Sequence, residues 1–208
     1  MQKKGTVLYR GAKAARTRQE ILAVAADIAS AEGLEGLSIG RLANELKMSK
    51  TGIFSHFGSK EELQIAAVNR AKEVFTEQVV KPSLTEPSGV KRLKAMLASW
   101  LNYVERSVFR GGCFFAAASL EFDSRPGRVR DEVAALTKAW TDALRNEVAR
   151  AKAQKEIARG TVPAQLVFEL HAFVQEANWA YKLFGDRTAF SRARGAIADR
   201  IRCASRQQ

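Results

Sequence analysis

The 208-residue chain has only two cysteines, Cys113 and Cys203, far apart and outside any CxxC pair. Neither a disulfide framework nor a zinc site is expected from them. Proline is scarce too: Pro82, Pro87, Pro126 and Pro163 are the four present, each at an expected helix boundary, because proline cannot serve a helix interior. Alternation of β-branched and polar residues is nearly missing, which argues against a strand-rich fold. No long apolar run is found either. The longest small-and-apolar stretch, Cys113 to Leu120, is far too short to cross a bilayer, and the start MQKKGTVLYRGAKAAR lacks a signal peptide's apolar segment. A cytoplasmic protein without a membrane partner is expected. Acid is in deficit, with Asp+Glu 22 against Lys+Arg 34, net charge +12 and a pI near 10.0, so polyanions are the favoured partners. Nucleophile elbow, P-loop, Rossmann fingerprint and paired histidines are all lacking. No enzyme, catalytic residue, cofactor or metal is expected.

What is present is helical periodicity and a basic charge concentrated at the two ends. Residues 1–60 carry ten Lys/Arg and five Asp/Glu, residues 61–186 eighteen and sixteen, and residues 187–208 six and one. Residues 1–16 read as a flexible basic arm, with Lys3, Lys4, Arg10, Lys13 and Arg16 and no acid. A capping box, Thr17-Arg18-Gln19-Glu20, predicts a first helix over about 17–32, ended by Gly33. Ser38 predicts the start of a second helix with Ile39, Leu42, Ala43 and Leu46 inward. Ser49 predicts a third with Ile53 and Phe57 inward, broken by Gly58, and Ser59-Lys60-Glu61-Glu62 opens a fourth.

Two short helices joined by a turn of about four residues, each with one apolar face, are the physical content of a helix-turn-helix, whose second helix enters the DNA major groove. The outward residues Lys50, Thr51, Gly52, Ser55 and His56 are suited to that surface, with donors for phosphates and base edges and a methyl for thymine. The stretch ILAVAADIASAEGLEGLSIGRLANEL followed by KTGIFSHFGSKEEL resembles the DNA-binding domain of the TetR (tetracycline-repressor-like) family of transcriptional regulators. That resemblance credits Ser38, Arg41, Ser49, Lys50, Thr51, Gly52, Phe54, Ser55, His56 and Lys60 with DNA contact. Lys60 gains independent support from its place at a helix N-terminus, a natural phosphate site. Phe54 departs from the pattern by standing where the family most often has tyrosine, so a phosphate-reaching hydroxyl is missing.

Residues 17–77 are thus assigned to the DNA-binding domain and 78–208 to a larger helical domain for ligand binding and dimerisation. The fold class is all-α, with about nine helices and helix four as the connection. Gly111-Gly112-Cys113 and SLEFDSRPG resemble the ligand-binding domain of one subgroup of the family. Helices are expected after Pro87-Ser88-Gly89, from about 127 to 158, and from about 163 to 184. A ligand pocket is expected from Trp100, Tyr103, Phe114, Phe115, Trp140, Phe168, His171, Gln175 and Trp179, aromatic walls with a few polar groups. The 163–184 helix carries two apolar stripes where a single-chain core needs one, so Val167, Val174 and Tyr181, with Ala193, Ile197 and Ile201 of the last helix, are the expected dimer interface. The family implies a homodimer on palindromic double-stranded DNA, acting as a repressor released by a small-molecule effector. The alternative is a ligand-independent DNA-binding or architectural protein regulated by abundance or by a protein partner.

Overall fold

Ten α-helices and no strand are found among the described residues, which in this computed structural model are 3–206, with side chains from 14 to 205. In chain order they are α1 (Lys3–Glu32), α2 (Ile39–Leu46), α3 (Lys50–Phe57), α4 (Lys60–Phe75), α5 (Lys81–Ser83), α6 (Val90–Glu105), α7 (Phe114–Phe122), α8 (Arg128–Ala153), α9 (Pro163–Phe184) and α10 (Thr188–Arg206). A π-helical turn, Thr76–Val80, joins α4 to the single turn of α5.

The short helices begin where serine can satisfy their orphan amides. Ser38 Oγ accepts from the Arg41 amide at 3.0 Å, Ser49 Oγ from the Gly52 amide at 3.0 Å, and Ser59 Oγ from the Glu62 amide at 3.1 Å. Gly33 and Gly58, at φ 82° and 74°, turn the chain after α1 and α3, a conformation glycine adopts without penalty. Leu42, Ile53, Leu63 and Ala67 are fully buried in one core with Ile21, Ala25 and Ile28 of α1. Truncating any of the larger of these to alanine removes about 2–5 kcal/mol.

Two helix boundaries differ from expectation. α1 starts at Lys3 rather than near Thr17, so the segment read as a flexible arm is helical. Alanine and basic residues through Ala12-Lys13-Ala14-Ala15-Arg16 are good helix formers. Thr17 then lies mid-helix, and Glu20 accepts from Arg16 Nε at 2.9 Å instead of closing a capping box. The side chains of Lys3, Lys4, Arg10 and Lys13, on which the arm reading relied, lie outside the described residues. α8 ends at Ala153, short of 158, because Lys155 takes φ 61° and turns Ile157 and Ala158 inward. The Ala158 amide there donates to the Ala204 carbonyl of α10 at 2.9 Å.

The larger body surrounds α6, whose Leu93, Leu97, Trp100, Leu101 and Val104 are buried. Its N-terminus has no local side-chain cap. Glu147 of α8, only 4% exposed, accepts from the Gly89 amide at 2.9 Å, and Glu156 accepts from the Val90 amide at 2.8 Å. Carboxylates brought from elsewhere in the chain thus meet the positive end of the helix. The apolar core runs without interruption from α1 to α10.

Candidate nucleic-acid interface

Three residues, Lys47, Met48 and Ser49, separate α2 from α3, and Lys47 ends α2 in the left-handed region at φ 53°. α3 therefore crosses α2 with Ile53 and Phe57 inward and presents Lys50, Thr51, Phe54 and Ser55 outward. Phe54 is 53% exposed, an unusual position for a phenyl ring with no partner. The stem of Lys50 passes over Gly40, its Cε 3.5 Å from where a Cβ would stand, an ordinary contact distance. Neither α2 nor α3 has an acidic residue in its first turn, so both helix N-termini keep their attraction for phosphate.

Several of the expected contacts carry a second job. Ser38 and Ser49 use their oxygens as caps, which leaves each hydroxyl proton for an outside acceptor. Ser55 donates to the Gly52 carbonyl at 2.8 Å. A Cβ on Gly52 would come within 3.0 Å of Ser49 Oγ, so the glycine serves the cap as well as the open surface. His56 is half-buried and lines a polar groove with Arg18 of α1 and Asn69 and Glu73 of α4, apart from the outward row.

Arg41 and Lys60 are engaged within the chain. The Arg41 guanidinium donates to both oxygens of Glu32, at 3.0 and 2.7 Å, and to Glu45 at 2.7 Å. Those hydrogen bonds hold the Glu32 carboxyl below the usual carboxylate range and raise Arg41. Lys60 Nζ donates to the Glu35 carbonyl at 2.8 Å and to Glu35 Oε2 at 3.0 Å, and with Gln64 it lowers the Glu35 carboxyl. Glu45 is the i,i+4 neighbour of Arg41 on α2 and readable from order alone, but nothing in the local sequence announces Glu32 or Glu35, which come from the end of α1 and the loop after it.

The body grips this head at three places. Glu121 of α7 accepts from the Leu34 and Glu35 amides at 2.7 and 2.8 Å. Arg110 donates to Asp27, and the Gly111 amide to Ser30 Oγ at 3.0 Å. Arg128, at the start of α8, bridges Glu61 and Glu62 in the first turn of α4.

Inside the body, a cavity of about 200 Å³ lies between α4 with its π-helical turn, α7, α8 and α9. Of the nine expected lining residues, Phe115, Trp140, His171 and Gln175 reach it. Trp100, Tyr103 and Phe114 are buried beside it in a cluster of rings, Trp100 lying 5.6 Å from Trp140 and 5.0 Å from His171 between centroids. Phe168 and Trp179 do not belong there. They face outward, 69% and 48% exposed, because α9 turns its Leu170 and Val174 stripe to the core. The reading of the sequence missed Lys72, Phe75, Thr76, Val80, Leu136 and Thr137. The π-helical turn, a form frequent at functional sites, places Thr76 and Val80, and sequence patterning gives no sign of it. Phe75 sets its ring edge-on to Trp140 at 4.9 Å and to Phe115 at 5.9 Å. Burial pushes His171 down, leaving the imidazole neutral near pH 7. Among the described residues no group of His, Cys, Asp and Glu could hold a metal ion.

The spare side of α9 is not the expected one: Leu166, Leu170 and Ala177 are buried as expected, and so is the stripe assigned to an interface. Val167, Val174, Ala193, Ile197 and Ile201 are buried inside the protomer, where α9 and α10 meet each other. Tyr181 is half-buried, its ring 5.0 Å from Phe190. The exposed apolar stripe is Phe168, Trp179, Leu183 and Phe184. Both stripes have helical spacing, so patterning alone does not tell which one the chain's own α10 covers. No helix of the described residues is long and apolar enough to cross a membrane.

Residues 21–67 match the bacterial regulatory proteins of the tetR family, and residues 89–197 match the tetracyclin repressor-like C-terminal domain. No curated protein sequence matches the chain significantly. Among solved structures, a TetR transcriptional regulator from Chloroflexus aurantiacus is 26% identical, with a TM-score of 0.85 over 91% of this chain and 96% of that one. AibR in complex with isovaleryl coenzyme A and operator DNA is 27% identical, with a TM-score of 0.71 over 88% and 97%. A TetR-family regulator from Streptomyces coelicolor shares the fold, at 22% identity and a TM-score of 0.78 over 99% and 96%. The exposed row on α3, the caps that set it and the match of most of the chain to two adjoining domains lead to one conclusion: this protein belongs to the TetR family of DNA-binding transcriptional regulators.

Proposed function

We propose that the protein is a homodimeric repressor that leaves a palindromic operator when a small molecule fills the cavity. The observation that carries this reading is the span of α4. The helix starts at Lys60, beside the recognition helix, and ends at Lys72 and Phe75 on the cavity wall. A ligand that favours one placement of Phe75 therefore biases the placement of α3, and a coupling of about 1–3 kcal/mol makes a useful switch. The AibR structure, which holds both isovaleryl coenzyme A and operator DNA, supports an effector and an operator on one such fold. The outward stripe of Phe168, Trp179, Leu183 and Phe184 supports a second copy as its cover, since exposed apolar stripes of this kind mark interfaces. Two α3 helices about 34–36 Å apart then fit successive major grooves.

In this reading Lys50, Thr51, Phe54 and Ser55 meet base edges, and Lys60 with the first amides of α3 meets phosphates. The test is selection of binding sites from genomic fragments, followed by titration of the dimer onto the selected duplex and onto random duplex at physiological salt. A selected palindrome bound at least a hundredfold more tightly supports the reading. Equal affinity for both duplexes defeats it.

A further inference from the structure

Three polar atoms buried at the cavity residues have no hydrogen-bond partner: Thr137 Oγ1 and Trp140 Nε1 on α8, and Gln175 Oε1 on α9. Thr137 and Trp140 are three residues apart and so share one face of α8. Folded proteins seldom leave such atoms unmet. Together they ask for a solute with an acceptor for the indole N–H and a donor for the amide oxygen. The surrounding wall is apolar and aromatic, with the rings of Phe75, Phe115 and Trp140 in edge-on contact, and the slot beside them offers aromatic faces and edges to a flat ring. A volume of about 200 Å³ exceeds the roughly 150 Å³ that holds a benzene ring, with room for small substituents and little more.

Charge narrows the choice. Lys72 and His171 are the titratable residues on the wall, and no carboxylate lines it. His171 is neutral near pH 7 because burial lowers it. Lys72 is exposed at the rim and pairs with no acid among the described residues. A cationic ligand would find aromatic faces but meet Lys72 and no counter-charge. A carboxylate inside the slot would lack a cation, and one at the rim would have it.

We propose that the cavity binds a monocyclic aromatic carboxylate bearing a ring hydroxyl, with the ring against Phe75, Phe115 and Trp140, the hydroxyl between Trp140 Nε1 and Gln175 Oε1 beside Thr137, and the carboxylate at Lys72. The assignment of this ligand as the effector rests on the repressor reading above.

The test is calorimetric titration of the full-length protein with 4-hydroxybenzoate, its methyl ester, benzoate and phenyltrimethylammonium. One 4-hydroxybenzoate per protomer is expected to bind, the ester at least tenfold more weakly, and the cation not at all. Lys72→Met should weaken the acid about tenfold and leave the ester unchanged. Thr137→Val, which keeps the shape of the side chain, should weaken 4-hydroxybenzoate several-fold and leave benzoate as it was. Failure of 4-hydroxybenzoate to bind, equal affinity for acid and ester, indifference to Lys72→Met, or tighter binding of the cation would each overturn the ligand class. The same acid added to the protein on its selected operator separates the two readings. Binding without release of DNA upholds the site and overturns the effector role, whereas release by some other compound, with no uptake of the acid, upholds the repressor and overturns the ligand class.

Discussion

Lys60 is the most informative single position on the proposed DNA face, because the structure shows what competes for it. Its ammonium sits 3.0 Å from Glu35 Oε2, with the two side chains 43% and 48% exposed. A pair that exposed contributes about 0–1 kcal/mol, so a phosphate can draw the lysine away at little cost. Lys60→Ala should weaken binding to every duplex and reduce the salt slope by about 0.9 for each protomer on DNA. Glu35→Gln acts in the opposite direction. A phosphate reaching Lys60 would lie roughly 6 Å from the Glu35 carboxylate, a repulsion of about 0.7 kcal/mol in a water-like dielectric. Its removal should tighten binding about threefold per site at low salt, and the gain should shrink as salt rises. Fluorescence anisotropy on the selected operator at four or five salt concentrations measures both affinity and slope. Wild-type affinity and slope in Lys60→Ala would refute the phosphate role, and weaker binding by Glu35→Gln would show that the carboxylate positions the lysine for DNA instead of competing with it.

Three further outcomes test other parts of the structure. A Cβ on Gly111 would fall 1.6 Å from the Ser30 carbonyl oxygen, whereas one on Gly160 meets nothing within 4 Å; Gly111→Ala should therefore lose more than about 2 kcal/mol in urea denaturation and Gly160→Ala less than about 0.5. Phe168→Glu combined with Trp179→Glu should leave a folded monomer by circular dichroism and sedimentation, and a dimer that survives would remove the α9 stripe from the interface. His171 has its folded pKa lowered, so the unfolded chain takes up a proton that the folded chain refuses. Its contribution to stability is complete above about pH 6.5 and falls as the pH drops below that value. His171→Phe should flatten that part of the pH–stability curve, and an unchanged curve would place the acid sensitivity elsewhere.

The parts of this molecule that were legible in the sequence are those decided within a few residues. Ser38, Ser49 and Ser59 each cap an amide three residues on, and such short-range chemistry can be read from order alone. The outward row on α3 follows from the same caps and from Ile53 and Phe57 pointing the other way. Long-range pairings were not legible. The stripes of α9 compete for the core until α10 is laid against the helix, and the result buries Val174, expected at an interface, and leaves Trp179, expected in the pocket, exposed. Arg41 looked free for DNA because Glu32 lies nine residues before it, across a turn whose geometry patterning does not specify. The cavity was half legible: its aromatic residues on α8 and α9 stand out, but Phe75 and Thr76 belong to a helix that otherwise reads as a connector.

The clasp between Glu121 and the Leu34 and Glu35 amides, with Ser30 lodged against Gly111, bears on how such regulators are rebuilt. A biosensor maker who splices a foreign head onto this body at residue 77, in the π-helical turn after α4, would spare α4 and still sever the seam, since residues 27–35 would no longer find their mates on 110–121. A working chimaera should need both sides of that joint transplanted as a matched set.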